Sequence, residues 1–369
     1  MQDNISKTTI DNIGQSLKKQ ELSTAQQQTI QSWRAYHSII SDKFFDIFRT
    51  EFKEIVNYPI SARLKRLPSI KKKLLKSSMR LTQMQDILGF RIVVNKIAEI
   101  YKVEKLLKNF FQNNNKYSIT YFDTDDYIKN PKPDGYRCIH LILKAENKYY
   151  IEIQIRTKIQ HLWATTLETV SAVLNKDFKH DYKKGGFNTF FKKVSDIICN
   201  FEQGSTQNFF SIIKMMRIYY SKYLRQIQVI SLYSQSIRET LKKLEQTKQM
   251  EYTPNLLFIL NLEEASKIIN KKPYDESVTD TSKILRIKVF KNNEEALKNY
   301  NQRELNKHNE RHDIVLITST DLKFLETNYP NYYLNCDEFL QQIQIMIKNA
   351  TIQYKFFGIP FFKYFIKNK

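Results

Sequence analysis

The hydrophobic positions change period several times along the chain, and each change marks an element. Over residues 24–56 apolar side chains recur at steps of three and four (Trp33, Tyr36, Ile39, Ile40, Phe44, Phe48), which predicts one long helix with a buried stripe. Asn57-Tyr58-Pro59 ends it, because the residue before proline avoids helical dihedrals. A basic helix capped by Ser69 is predicted over residues 69–85, a β-branched strand over 87–94 and a helix over 99–113. Strands follow at 117–122, 137–144 and 148–156, and a further helix runs from Lys158 towards Leu174. In the last strand Ile151, Ile153 and Ile155 alternate with Glu152, Gln154 and Arg156. Successive strand side chains point to opposite faces, so the isoleucines belong in a core and the three polar groups share the other side.

The second half of the chain is patterned less strongly. Residues 208–249 read as helical with a loose heptad, and 270–282 as a polar loop or linker. A strand is expected at 284–290, a helix at 294–307, a strand at 313–318 and a helix at 337–348. No internal repeat is visible. The expected fold class is α+β: a small mixed β-sheet flanked by helices within residues 1–205, a helical connector over 206–250, and a smaller α/β unit over 251–369. No chemistry follows from the residue types of that last unit, and a regulatory role or a protein partner is left open for it.

Composition narrows the partners. The formal net charge is +21 over 369 residues, which suits a polyanion such as nucleotide phosphates, RNA, DNA or an anionic membrane surface. An unspecialised lysine-rich surface is the plain alternative. Residues 1–60 carry seven basic and seven acidic side chains, whereas residues 61–80 carry eight basic ones and no acid. No apolar run is long enough to cross a bilayer, and MQDNISKTTI has no secretory character. Cys138, Cys199 and Cys336 are widely spaced and odd in number, which fits a reducing cytoplasm and neither a disulfide framework nor a zinc site.

Several residues could carry chemistry. Arg63, Lys65 and Lys73 could clamp a triphosphate or form a solvated basic face. Asp86 opens a strand, where an aspartate is usually a turn or cap residue; paired with Glu152 from another strand it would suit Mg²⁺, which takes one or two carboxylates plus substrate phosphates. Pro131-Lys132-Pro133-Asp134-Gly135-Tyr136 is a turn by composition. Tyr136 is either a core aromatic or an exposed ring on which a base stacks, and His140 either a satisfied core histidine or a phosphate contact. Trp163 and Leu167 are expected in a core, with Glu168 as a candidate partner of an active-site cation. His180-Asp181 and His312-Asp313 lack partner histidines at useful spacing and read as chance. The aromatic and lysine-rich tail 354–369 is expected to dock on the core, with partner or membrane-surface binding as the alternative.

Four stretches in order, RLKRLPSIKKKL (63–74), LTQMQDILGFRIVV (81–94), DYIKNPKPDGYRCIHLI (126–142) and IEIQIRTKIQHLWA (151–164), resemble the synthetase domain of RelA/SpoT-type nucleotide pyrophosphokinases. The resemblance implies a nucleotidyltransferase-like mixed sheet and transfer of the β,γ-pyrophosphate of ATP to a ribose 3′-hydroxyl of GDP or GTP, releasing AMP and giving a (p)ppGpp-type alarmone. It implies that Arg63, Lys65 and Lys73 contact ATP, with Arg63 also against adenine. Asp86 and Glu152 are implied as Mg²⁺ ligands, with Glu152 activating the acceptor hydroxyl. Tyr136 would stack on the acceptor base, His140 and Gln154 would contact acceptor phosphate or ribose, and Lys132 would face the acceptor's phosphate end. Arg156 is in the motif and could equally be a structural ion-pair partner.

Asp134 stands where many members carry asparagine, and a carboxylate cannot donate a hydrogen bond, which opens the acceptor-base preference. About 60 residues precede the motifs, too few for the hydrolase domain of the bifunctional members, so a synthesis-only chain is expected. Two alternatives stand beside the alarmone synthetase: a toxin or phage-defence effector that pyrophosphorylates the 3′ end of tRNA, and a non-catalytic nucleotide- or RNA-binding regulator.

Overall fold

The computed structural model describes residues 5–19, 21–55, 57–114, 116–176, 178, 186–204, 223, 227, 255–270, 285–290, 292–305, 311–318 and 336–356. The expected helix over 208–249 (Tyr223 and Ile227 apart), the loop 271–282, the tail from 357 onward and His180-Asp181 lie outside the described residues. The chain divides into two compact units: residues 1–130, 137–158 and 297–310 form the first, and 131–136, 159–296 and 311–369 the second.

The first unit opens with α1 (Lys7–Lys19), which the sequence reading did not anticipate, and α2 (Thr24–Glu51). A capping box fixes the start of α2: the Ser23 hydroxyl accepts from the Gln26 N–H, and the Gln26 side chain accepts from the Ser23 N–H. Then come β1 (Ile60–Leu64), α3 (Leu67–Lys76), β2 (Leu88–Val94), α4 (Ile97–Asn113), β3 (Ile119–Asp126), β4 (Ile139–Ala145) and β5 (Tyr149–Thr157). The strands form one sheet in the order β1-β2-β5-β4-β3, with β2 and β5 parallel and the other pairs antiparallel. This is the expected mixed sheet flanked by helices.

Two details differ from the expectation. The basic helix over 69–85 is instead α3, ending at Lys76, followed by a 3-10 turn at Leu81–Gln83. Arg66, not Ser69, is its N-cap, because Pro68 sits at the second helical position, where the missing N–H costs nothing. The strand β1 was not anticipated. It is a short edge strand, and five residues give too little alternation to stand out from the basic run around it.

One face of the sheet is the core. Leu88, Phe90, Ile92 and Val94 of β2 and Ile151, Ile153 and Ile155 of β5 pack with Phe44 and Phe48 of α2 and Val103, Leu107 and Phe111 of α4. Phe44 lies 4.7 Å from Phe90 and 5.6 Å from Phe111 between ring centroids, so α2 and α4 meet over β2. Such burial is the main stabilising term and fixes the register, since a one-residue slip of β5 would bring Glu152 into the core.

The second unit contains α5 (Lys158–Val173), α6 (Phe187–Glu202), β6 (Asn255–Asn261), α7 (Leu262–Asn270), β7 (Leu285–Phe290), β8 (His312–Thr318) and α9 (Asp337–Phe356); α8 (Asn293–Leu305) runs from this unit into the first. Its sheet is antiparallel in the order β7-β6-β8. Trp163 and Leu167 of α5 are buried, as expected, and the Trp163 indole N–H donates to the Phe191 carbonyl on α6. Among the described residues no helix is long and apolar enough to cross a membrane.

Candidate active site

The face of the sheet opposite the core carries two rows of side chains. Register places Arg63, Gly89, Glu152, Ile142 and Asp123 in one row across β1-β2-β5-β4-β3, and Ser61, Arg91, Gln154, His140 and Asp125 in the next. Strand alternation puts them all on that one side. Gly89 leaves a gap in the first row. A Cβ built there would meet only the Arg63 carbonyl oxygen at 3.9 Å and the Glu152 carbonyl oxygen at 4.0 Å, ordinary van der Waals distances, so a Cβ has room at this position.

Glu152 is buried, and both of its oxygens are engaged. Gln154 Nε2 donates to Oε1 at 2.6 Å, and His140 Nδ1 lies 3.0 Å from Oε2. Burial alone would raise the Glu152 pKa, but His140 and Gln154 outweigh it and hold the carboxyl down at about 2. Burial likewise disfavours charge on His140, and the facing carboxylate reverses this and lifts the imidazole to about 9. At neutral pH the two form a buried imidazolium–carboxylate pair. The Tyr127 ring meets His140 edge-on at 5.1 Å, and its hydroxyl donates to Asp125 Oδ2 at 3.1 Å.

Asp86 precedes β2 at the edge of this face. Lys65 Nζ donates to its Oδ2 at 2.7 Å, and Lys73 Nζ to its Oδ1 at 3.0 Å. Lys65 is set by the sheet, because its backbone N–H donates to the Ile87 carbonyl at 2.8 Å. Lys73 is set by α3. Burial disfavours a charged Asp86, yet the two ammonium groups lower its pKa, while Glu152 pushes the other way. The pKa of Lys65 is lowered by burial first and then by its cationic neighbours Lys73 and Arg63, with Asp86 opposing. The charge of Glu152 is thus felt at Asp86, and that of Lys73 at Glu152. Arg63, Lys65, Lys73, Asp86, Glu152, Gln154 and His140 therefore form one electrostatically coupled group in the first unit.

Lys132 and Tyr136 belong to the second unit. Their loop is a closed turn: Gly135 N–H donates to the Lys132 carbonyl at 2.8 Å, Lys132 N–H to the Tyr136 carbonyl at 3.1 Å, and Tyr136 N–H to Asp134 Oδ1 at 2.9 Å. Asp134 thus serves its own backbone, as turn aspartates do. Of the two sequence readings for Tyr136, core aromatic or exposed stacking ring, the structure shows an enclosed ring. It is 9% exposed, and Lys132 Nζ sits 5.2 Å from its centroid, a cation–π contact that covers one face.

Sequence reasoning missed Gly89, Arg91, Asp125 and Tyr127. Strand parity over 88–94 could have found the first two, since Gly89 and Arg91 are the positions that interrupt the apolar alternation. Arg156 is almost completely enclosed, at 2% exposure, as a structural residue would be. Glu168 is half-buried on α5, and the structure describes it within the second unit.

One face of the mixed sheet thus joins two acids to a lysine pair. The sequence model described as "Region found in RelA / SpoT proteins" matches residues 62–173. The GTP pyrophosphokinase YwaC of Bacillus subtilis is 32% identical over 153 residues, spanning 37% of this chain and 70% of that protein. The chain belongs to the RelA/SpoT family. The GTP pyrophosphokinase of Escherichia coli K12 is 30% identical over 121 residues, which are 32% of this chain and 16% of that longer protein. The match to a chloroplast relative from rice spans 14% of that protein's length, so the long relatives extend far beyond the shared segment. Among solved structures, the small alarmone synthetase 2 of Bacillus subtilis is 26% identical, with a TM-score of 0.39, covering 48% of this chain and 94% of that one.

Proposed function

We propose that the chain is an ATP-dependent pyrophosphokinase whose donor site is the Lys65–Lys73–Asp86–Glu152 group and whose acceptor is a guanosine nucleotide. The observation that carries the reading is the pairing of two lysines with one acid, coupled to a second acid held by His140 and Gln154. Lys65 and Lys73 both donate to Asp86. The β- and γ-phosphates of ATP would compete for the same two ammonium groups and release the carboxylate.

Asp86 and Glu152 then suit Mg²⁺, which is commonly held by one or two carboxylates together with substrate phosphates. Among the described residues no group of three or more His, Cys, Asp or Glu would hold a metal by itself, so phosphate oxygens would complete the site. The bound ion would neutralise developing charge on the phosphate oxygens.

The acceptor 3′-oxygen forms a bond to the β-phosphorus as the bond from that phosphorus to the α,β-bridging oxygen breaks. AMP leaves with the bridging oxygen, and the hydroxyl proton passes towards Glu152. A carboxylate held at about 2 is a weak base. Phosphoryl transfer passes through a loose transition state in most analyses, so the main task of Glu152 is to orient the hydroxyl, with the lysines supplying charge. His140 and Gln154 keep the carboxylate in place, and the notch at Gly89 leaves room for the reacting groups beside it. The family resemblance proposes Tyr136 and Lys132 as acceptor contacts, and both belong to the second unit.

A second reading keeps the chemistry and changes the acceptor to the 3′ end of tRNA. The net charge of +21 and the acid-free basic segment 61–80 favour a large polyanion. Incubation with γ-labelled ATP, Mg²⁺ and GDP, GTP or bulk tRNA separates the readings. Label on the guanosine nucleotide supports the first, label on tRNA the second, and no transfer to any of them leaves a non-catalytic binding protein.

A further inference from the structure

Outside the site, the first unit buries an ion pair that the proposed reaction does not use, Arg34 with Glu304, both side chains 3% exposed. Arg34 lies on α2. Glu304 is the second-last residue of α8, 131 residues beyond the segment matched by the family. Arg34 Nη1 donates to Glu304 Oε2 at 2.8 Å, and Arg34 Nη2 reaches the Tyr300 hydroxyl at 3.3 Å. The second carboxylate oxygen, Oε1, accepts the backbone N–H of Leu67 at 2.8 Å.

Leu67 is the first residue of α3. That helix has no side-chain cap of its own, because its N-cap is Arg66, a donor, and Pro68 has no N–H to offer. The carboxylate from α8 therefore takes the place of the missing cap. It is badly placed for α8, since an acid in the last turn opposes that helix's dipole, and well placed for α3, where negative charge at the N-terminus is stabilising. Lys73 is six residues further along α3, roughly 9 Å at 1.5 Å per residue, on a helix too short to bend much.

We infer that Glu304 is a positioning residue: α8 holds the start of α3 through it and thereby sets Lys73 for the donor phosphates. This rests on the donor-site reading above. It gives part of the C-terminal region a role inside the synthetase unit, as the anchor of the donor helix. Anything that draws α8 away would loosen ATP binding before it touched the acceptor.

Removing one partner of a buried ion pair leaves an uncompensated charge and can unfold a protein, whereas replacing both is often tolerated. The test therefore compares two double variants, Arg34→Met with Glu304→Gln and Arg34→Met with Glu304→Met. The glutamine carbonyl still accepts from Leu67 N–H, and the methionine cannot. Hydrogen exchange without nucleotide reads the anchoring directly: amides of Ile70–Lys76 should exchange about tenfold faster in the methionine variant than in the glutamine variant. The KM for ATP should rise about fivefold in the same comparison, with the KM for the acceptor unchanged. Equal α3 exchange in the two folded variants overturns the anchoring. Faster exchange with an unchanged KM for ATP overturns the link to the donor. A wild-type protein that binds no ATP overturns the donor-site reading itself, while the exchange comparison still decides whether Glu304 holds α3.

Discussion

His140 Nδ1 on β4 lies 3.0 Å from Glu152 Oε2 on β5, a buried ion pair made on the diagonal, since register sets His140 opposite Gln154 and Glu152 opposite Ile142. Each residue ionises because the other does. The His140 pKa is raised to about 9, so its contribution to stability is fully present below an unfolded value of about 6.5 and is lost as pH rises through 9. The Glu152 pKa is lowered to about 2, so its contribution is present above about 4.5 and is lost as pH falls through 2. Full pairing therefore lies between about pH 4.5 and 6.5. His140→Gln should lower Tm most near the middle of that window and progressively less towards alkaline pH, where wild type has lost the pair as well. Thermal melts of both proteins across pH check this, and a Tm difference that does not change with pH contradicts the pairing.

Gly89 lies between Arg63 and Glu152, and no atom outside its chain neighbours comes within 3.9 Å of where its Cβ would be. Gly89→Val should therefore fold, since a β-branched residue suits a strand. Its side chain would occupy the space assigned to the reacting groups. The expected outcome is an unchanged or slightly higher Tm with transfer reduced by at least about tenfold, the loss a misplacement of about 1 Å can exceed. Full activity in a folded Gly89→Val protein means that the reaction takes place elsewhere.

Gly135 shapes the turn before Tyr136. Its φ is +93°, and a Cβ there would come within 3.0 Å of Ser195 Cβ and 3.1 Å of Lys192 Cα on α6, while the Ser195 hydroxyl donates to the Gly135 carbonyl. Gly135→Ala should cost roughly 1–3 kcal/mol through backbone strain and loosen the loop. If the loop serves the acceptor, the variant should raise the KM for the acceptor several-fold more than the KM for ATP. Tyr136→Ala should do the same through loss of a stacking contact worth about 1–3 kcal/mol. Equal effects on both substrates would remove the acceptor role from this loop.

The isoleucine stripe of β5 made one face of the sheet legible from sequence, because strict alternation over 151–156 has one physical meaning. Long periodic helices such as α2 and α4 were legible for the same reason. Short or atypical elements were not: β1 is five residues of mixed character, and α1 lies in a polar N-terminal stretch. Within the site, the candidate residues of the first unit came from motif resemblance and strand parity, and the structure brings them together. The partners that hold them were invisible. The Lys65 and Lys73 contacts to Asp86 span 21 and 13 residues, and Glu304 reaches Leu67 across 237. Local pattern carries no information about contacts over such separations. The covered state of Tyr136 was hidden for another reason: Lys132 reaches the ring only because the turn folds back on itself.

The most direct test compares wild type with Glu152→Gln, using γ-labelled ATP, Mg²⁺ and GDP or GTP. The substitution keeps shape and removes charge, and His140 can respond by losing its proton, so the fold should persist. Wild type should form one labelled guanosine product for each AMP released, and the variant should lose about 10²-fold or more in rate, the cost of a misplaced hydroxyl. Transfer by Glu152→Gln at the wild-type rate, or label released as inorganic phosphate with ADP in place of AMP, would contradict the account.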